Sequence, residues 1–183
     1  MVAEKDKSAS GTEAAAKRPV PVPQGCITLA HGNEPITILL VDDDADCRLL
    51  IRDAIADCKV GNKVYEASNG AEALDYLYQR GRFKGLPRPG LVYLDIEMAG
   101  MDGQETLRKI RSNPDFREIP VVMMTGVSDE QQMKLAAANG ANSYTIKPAN
   151  AEQFLRTVLA STNYWLTIHQ SPRHHLRPDE CRR

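Results

Sequence analysis

The chain is poor in the features that mark several large protein classes. Its 183 residues contain no apolar run near the ~20 needed to span a bilayer, and the N-terminus mixes Glu4, Lys5, Asp6 and Lys7 where a leader would carry an apolar stretch. The expectation is a protein that neither crosses a membrane nor is exported, with the cytoplasm as its place. The four cysteines, Cys26, Cys47, Cys58 and Cys181, show no Cys-x-x-Cys pair and no histidine at metal-ligand spacing. This argues against a disulfide framework or a zinc site, and a reducing compartment fits best. Cys47 and Cys58 are expected to pack as small apolar residues of one helix. Excess charge is also missing: 23 Lys and Arg against 24 Asp and Glu leave a formal net charge of -1. Without a broad positive field, neither nucleic acid nor an anionic membrane is an expected partner, and partners must be selected by local chemistry.

What the chain does have is an alternation of two periods. Residues 1–34 are rich in Ala, Lys, Ser and Pro and end in ArgProValProValProGlnGly, which blocks helix and central strand alike, so a disordered or tethered tail is expected. Residues 169–183 carry Pro172, Pro178, His174, His175 and the arginines 173, 177, 182 and 183 without apolar periodicity, and read as a second polar tail. Between them, over 35–168, strand-like and helix-like segments take turns. Ile36 to Val41 is a β-rich run; Asp46 to Cys58 spaces Leu49, Leu50, Ile51, Ala54 and Ile55 as a helix; Lys63 to Ala67 is a short strand. Asn69 fits an N-cap for a helix through Leu74, Leu77 and Tyr78, followed by a Gly/Pro-rich loop from Gly81 to Gly90. Strands at Leu91 to Leu94, Pro120 to Met124 and Asn142 to Ile146 then alternate with helices around Leu107 and Ile110, at Met133 to Ala138 and at Ala151 to Leu159. Five such pairs with mostly continuous apolar strands predict an α/β, doubly wound parallel sheet of five strands, a (βα)5 fold.

Sites in such sheets lie beyond the carboxyl ends of the strands. The first strand ends at Asp42, Asp43 and Asp44, the third at Asp95, the fourth at Thr125, and the fifth at Lys147, before Pro148. Adjacent carboxylates at the mouth of an apolar core raise one another's pKa unless a cation intervenes, and oxygen ligands with retained water suit Mg²⁺. A magnesium held this way commonly meets a phosphate, whose other oxygens Lys147 and Thr125 could serve. Asp44 and Asp46 are read instead as first-turn helix acids favoured by the macrodipole.

The ValAspAspAsp run at 41–44, the phrase LeuAspIleGluMetAlaGlyMetAspGly at 94–103, Thr125-Gly126 and Lys147-Pro148 together resemble the response-regulator receiver domain of two-component signalling. That resemblance implies a flavodoxin-like strand order of 2-1-3-4-5. It makes Asp95 the acceptor of a phosphoryl group from a phosphohistidine on a sensor kinase. It gives the metal to Asp42, Asp43, Asp95 and the main-chain carbonyl of Glu97. Lys147 would pair with the aspartyl phosphate, Thr125 would move its hydroxyl onto it, and Tyr144 would turn inward with Thr125 as a switch. It further implies a cis bond before Pro148. The protein would then not be an enzyme with turnover, but a phosphoacceptor that assists its own phosphorylation and dephosphorylation. Ala99, where many receivers have proline, loosens the loop after Asp95, and the Glu97 carboxylate is expected to tune dephosphorylation, which Glu97→Asn and a phosphate half-life would test.

Rival readings remain at this stage. Asp42, Asp44, Asp46 and Asp53 occupy positions 1, 3, 5 and 12 of a calcium-loop frame, but Cys47 stands where that loop needs glycine. An aspartate-nucleophile phosphatase would want Thr or Val after Asp-x-Asp, where Ala45 and Asp46 follow. A metal-blind interaction module of the same fold is the third. The Gly/Pro loop before the third strand, and TyrTrpLeuThrIle at 164–168, resemble small receivers paired with bacterial phytochrome-type histidine kinases. With only a short tail after the receiver, a stand-alone regulator is expected, acting by protein contact and able to form a homodimer. Tyr164 and Trp165 are interface-type aromatics, with packing on their own core as the alternative for Trp165.

Overall fold

The computed structural model describes residues 36–56, 61–126 and 129–165. Both expected tails and Cys58 lie outside the described residues. The elements run β1 (Thr37–Val41), α1 (Ala45–Ala56), β2 (Lys63–Ala67), α2 (Gly70–Leu77), β3 (Leu91–Asp95), α3 (Gly103–Ser112), β4 (Val121–Thr125), α4 (Glu130–Ala138), β5 (Ser143–Ile146) and α5 (Ala151–Asn163). All pairings are parallel and the sheet order is β2-β1-β3-β4-β5. The expected fold and order are therefore present.

Continuous apolar strands arise because both faces of the sheet are covered. Leu39, Val41, Val92, Leu94, Val121 and Met123 point into one core, against Ala73, Tyr76 and Leu77 of α2 and Leu107 and Ile110 of α3. Their neighbours Ile38, Leu40, Leu91, Tyr93, Val122 and Met124 point into the other, against Ile51, Ala54 and Ile55 of α1 and Phe154 and Val158 of α5. Each large aliphatic buried this way contributes about 1.5–3 kcal/mol relative to exposure. A polar link joins β3 to α5: the Tyr93 hydroxyl lies 2.8 Å from Thr162 Oγ1 and 3.1 Å from Ser161 Oγ.

The loop expected from Gly81 to Gly90 contains a short 3-10 turn at Gly81–Phe83, because Phe83 finds cover in the first core, 5.4 Å from the Tyr76 ring. Tyr76 also donates its hydroxyl to the Pro87 carbonyl at 2.8 Å and so pins this loop. Helix α5 extends past the expected end at Leu159, and Trp165 folds back onto the second core while Tyr164 is exposed.

Helix starts gather at the carboxyl rim of the sheet. Asn69 caps α2 as expected, its side chain accepting from Glu72 N at 2.9 Å, and Asp102, Asp129 and Asn150 cap α3, α4 and α5. The register pairs Val41 with Leu94, Asp95 with Met124 and Thr125 with Ile146. Residues 42, 95, 125 and 147 consequently emerge on one rim.

Candidate functional site

At that rim the Lys147 ammonium sits between two acids, 2.7 Å from Asp42 Oδ2 and 2.8 Å from Asp95 Oδ1. Asp42 is fully buried and Asp95 nearly so. Burial raises the Asp95 carboxyl to about 6, with Lys147 opposing and Asp42 adding to the rise. Burial alone would lower the Lys147 ammonium, yet the two carboxylates hold it above its ordinary value. One ammonium shared by two dry carboxylates keeps its own proton and leaves Asp95 short of positive charge.

Asp43 adds a third acid. Ligand oxygens of Asp42, Asp43 and Asp95 lie within 4.8 Å of one another. Three carboxylates against one ammonium leave two negative charges, and Asp95 Oδ1 is buried without an aligned hydrogen-bond donor despite its ion pair. An oxygen-preferring divalent ion fits this donor set in charge and in chemistry. The Glu97 side chain is exposed, and its carboxylate stands outside the three-acid group.

The loop after Asp95 is tied to the acids, since the Ala99 N–H donates to Asp43 Oδ2 at 3.1 Å. Gly100 follows with φ +81, a conformation that disfavours side chains and lets the loop turn there. Thr125 is buried at the end of β4, and its carbonyl accepts from Lys147 N at 2.6 Å. The Tyr144 hydroxyl is shielded from solvent, and burial raises the phenol above its ordinary value. Tyr144 thus lies on the inner side, against the first core.

One expectation is corrected. The bond between Lys147 and Pro148 is trans, as no cis peptide occurs among the described residues. Trans is the lower form of an X-Pro bond by about 0.5–1 kcal/mol, and Lys147 reaches both acids from it.

Asp44 behaves as the helix acid it was taken for: its Oδ1 accepts from Asp46 N at 2.9 Å and Cys47 N at 3.3 Å, capping α1. A calcium loop is overturned by the same feature, because residues 45–56 are helical and Asp53 points outward from α1. Cys47 is half-buried against the second core, and its thiol is pushed up to about 12 by burial first and then by Asp42. Sequence reasoning passed over Arg48. Its Nη1 donates to the Asp42 carbonyl at 2.6 Å and its Nε to Glu66 Oε2 at 3.1 Å, so it clamps the end of β1 to β2. The only signal for it was a cation one helical turn beyond an acid-rich strand end.

Comparison with known proteins agrees with this geometry. The family model described as response regulator receiver domain matches residues 38–159. Response regulator Rcp1 of Synechocystis sp. is 30% identical over 136 residues, covering 74% of this chain and 92% of its own. The probable methanogenesis regulatory protein FilR2 of Methanothrix harundinacea is 36% identical over 143 residues, with 78% and 91% covered. Among solved structures, the phosphorylated cyanobacterial phytochrome response regulator RcpA superposes with a TM-score of 0.72 at 32% identity, over 75% of this chain and 99% of that one. The Mn(2+)-bound form of Rcp1 gives 0.71 at 29% identity, with the same coverage.

Proposed function

The chain belongs to the receiver-domain family of response regulators, and on that footing we propose that Asp95 accepts a phosphoryl group from a phosphohistidine on a sensor histidine kinase of phytochrome type. The observation that carries this reading is the Lys147 ammonium held within 2.8 Å of Asp95 and 2.7 Å of Asp42 at the rim where Thr125 also emerges.

An Asp95 carboxylate oxygen forms the new bond to phosphorus as the bond from phosphorus to the imidazole nitrogen breaks. The histidine keeps that electron pair and recovers a proton from solvent. Lys147 holds one acceptor oxygen and offers its charge to the incoming phosphoryl oxygens, while the Thr125 hydroxyl serves another. Catalysis here is positioning and electrostatics, with little acid-base work. Asp42, Asp43 and Asp95, with the Glu97 carbonyl, would hold Mg²⁺, which when bound supplies the charge that lets an anion approach crowded carboxylates. Solved relatives described as phosphorylated and as Mn(2+)-bound support both parts.

On this reading the protein is a phosphoacceptor that assists its own phosphorylation and dephosphorylation, with no turnover of a separate substrate. Thr125 and Tyr144 form the bistable pair, and the signal leaves by protein contact in the cytoplasm, with a homodimer as one form. No helix of the described residues is long and apolar enough to cross a membrane.

Incubation with Mg²⁺ and acetyl phosphate tests the acceptor. Wild type should gain one phosphoryl group by intact mass and Asp95→Asn none. Equal incorporation in both would remove Asp95 from the role.

A further inference from the structure

Helix α4 is held in place in an unusual way. Of its nine residues only Ala136 is buried, whereas Met133 and Leu135 are exposed. Apolar packing therefore does little to fix it against its neighbours. What it has instead is a polar tie to α3. Gln104 is 5% exposed, and its Nε2 donates to the Gln132 carbonyl at 3.1 Å and to Gln132 Oε1 at 3.2 Å. Its Oε1 accepts from Asn139 Nδ2 at 3.1 Å. One amide so engages the first turn of α4 and the residue that caps its end.

The other side of this tie leads to the acceptor. Gln104 follows Gly103, whose N–H donates to the Ile96 carbonyl at 3.0 Å. A Cβ at Gly103 would overlap the Asp95 carbonyl oxygen, so α3 begins in direct contact with the backbone of the acceptor strand. Gln104 is thus the residue next to a backbone contact with the acceptor strand. Helix α4 in turn follows β4, which ends at Thr125.

We propose that Gln104 is a positioning residue that couples the Asp95 loop to α4, so that phosphorylation changes how α4 is held through this one buried amide. The inference rests on the phosphoacceptor reading and deepens it by naming the connection. A buried, almost fully satisfied amide suits such a task because its geometry has few alternatives: displacement leaves donors unpaired away from water.

The test compares wild type, Gln104→Leu and Gln104→Glu with Mg²⁺, with and without acetyl phosphate. Intact mass reports incorporation and amide hydrogen exchange reports residues 130–138. Leu removes every hydrogen bond at similar volume; Glu keeps shape and the Asn139 contact but loses both donors, which covers a Leu variant that fails to fold. In wild type, incorporation should change exchange in α4 by fivefold or more. In the variants incorporation should persist and that change should fall below twofold. A merely structural amide would loosen α4 equally in both states and leave the phosphorylation-dependent difference intact, and that result overturns the coupling. So does loss of incorporation in both variants, or an unchanged α4 in phosphorylated wild type. No incorporation in wild type overturns the phosphoacceptor reading itself and this inference with it.

Discussion

Asp95 occupies a place that disfavours its own charge. Burial raises its carboxyl to about 6 even with Lys147 at 2.8 Å, because that ammonium is shared with Asp42. A carboxyl raised on folding binds protons more tightly in the native state than in the unfolded one. Its contribution to stability is therefore fullest below the ordinary carboxylate range and is lost as pH rises through about 6. A shift of this size corresponds to about 3 kcal/mol at most, discounted for the coupling to Lys147. Metal-free Asp95→Asn should accordingly unfold at higher urea than wild type at pH 7.5, by about 1–3 kcal/mol, and the gap should close below pH 4. A variant less stable than wild type at pH 7.5 would show that Lys147 fully neutralises the site and that no cation deficit exists. The same logic explains why the residue that carries the chemistry is an acid under tension: electrostatic discomfort in the resting form is what a cation and a phosphoryl group relieve.

Among the elements, α3 is the one on which acceptor geometry most depends. Its start rests on the Asp95 and Ile96 backbone at Gly103, with Asp102 Oδ1 capping Glu105 N at 2.7 Å. Gly103→Ala would force α3 away from β3 or twist the strand end. We expect a loss of about 2–3 kcal/mol in urea unfolding together with slower phosphate incorporation. Gly61→Ala, where a Cβ meets nothing within 4 Å, should be close to neutral and serves as the control. Equal effects at the two positions would refute the close contact. Elements of this kind were readable from the sequence because the central strands β1, β3 and β4 are buried on both faces and Asn69 stands where a helix must be capped, signals that are local. Asp42, Asp43, Asp95, Thr125 and Lys147 were readable because strand ends converge by topology alone. The isomer at Pro148, the clamp of Arg48 and the amide of Gln104 were not, since each depends on what packs against the residue from a distant element. Trp165 was left open between interface and core for the same reason, and in the structure it packs in part against the second core.

On the scale of the whole molecule, a formal net charge of -1 conceals a concentrated deficit. Many surface charges pair locally, as in Arg52 with Glu66 at 3.0 Å and Arg82 with Glu72 at 2.9 Å, and such pairs contribute little to stability. The rim with Asp42, Asp43 and Asp95 is different, for its surplus negative charge is part-buried and water screens it poorly. A dication that binds there binds the native chain alone, because the three acids come from β1 and β3 and separate on unfolding. Stability must then rise with free Mg²⁺ by mass action, about 1.4 kcal/mol at ten times the dissociation constant. Thermal unfolding should show this as an increase of about 5 °C at that concentration, growing with the logarithm of free Mg²⁺ and reversed by chelator. Asp43→Asn keeps the buried pair with Lys147 and an amide oxygen able to accept from Ala99 N while removing the exposed carboxylate, so it should keep or slightly raise the metal-free midpoint while losing most of the Mg²⁺ increment. An undiminished increment in that variant would place the ion elsewhere on the molecule and detach the metal from the acceptor chemistry.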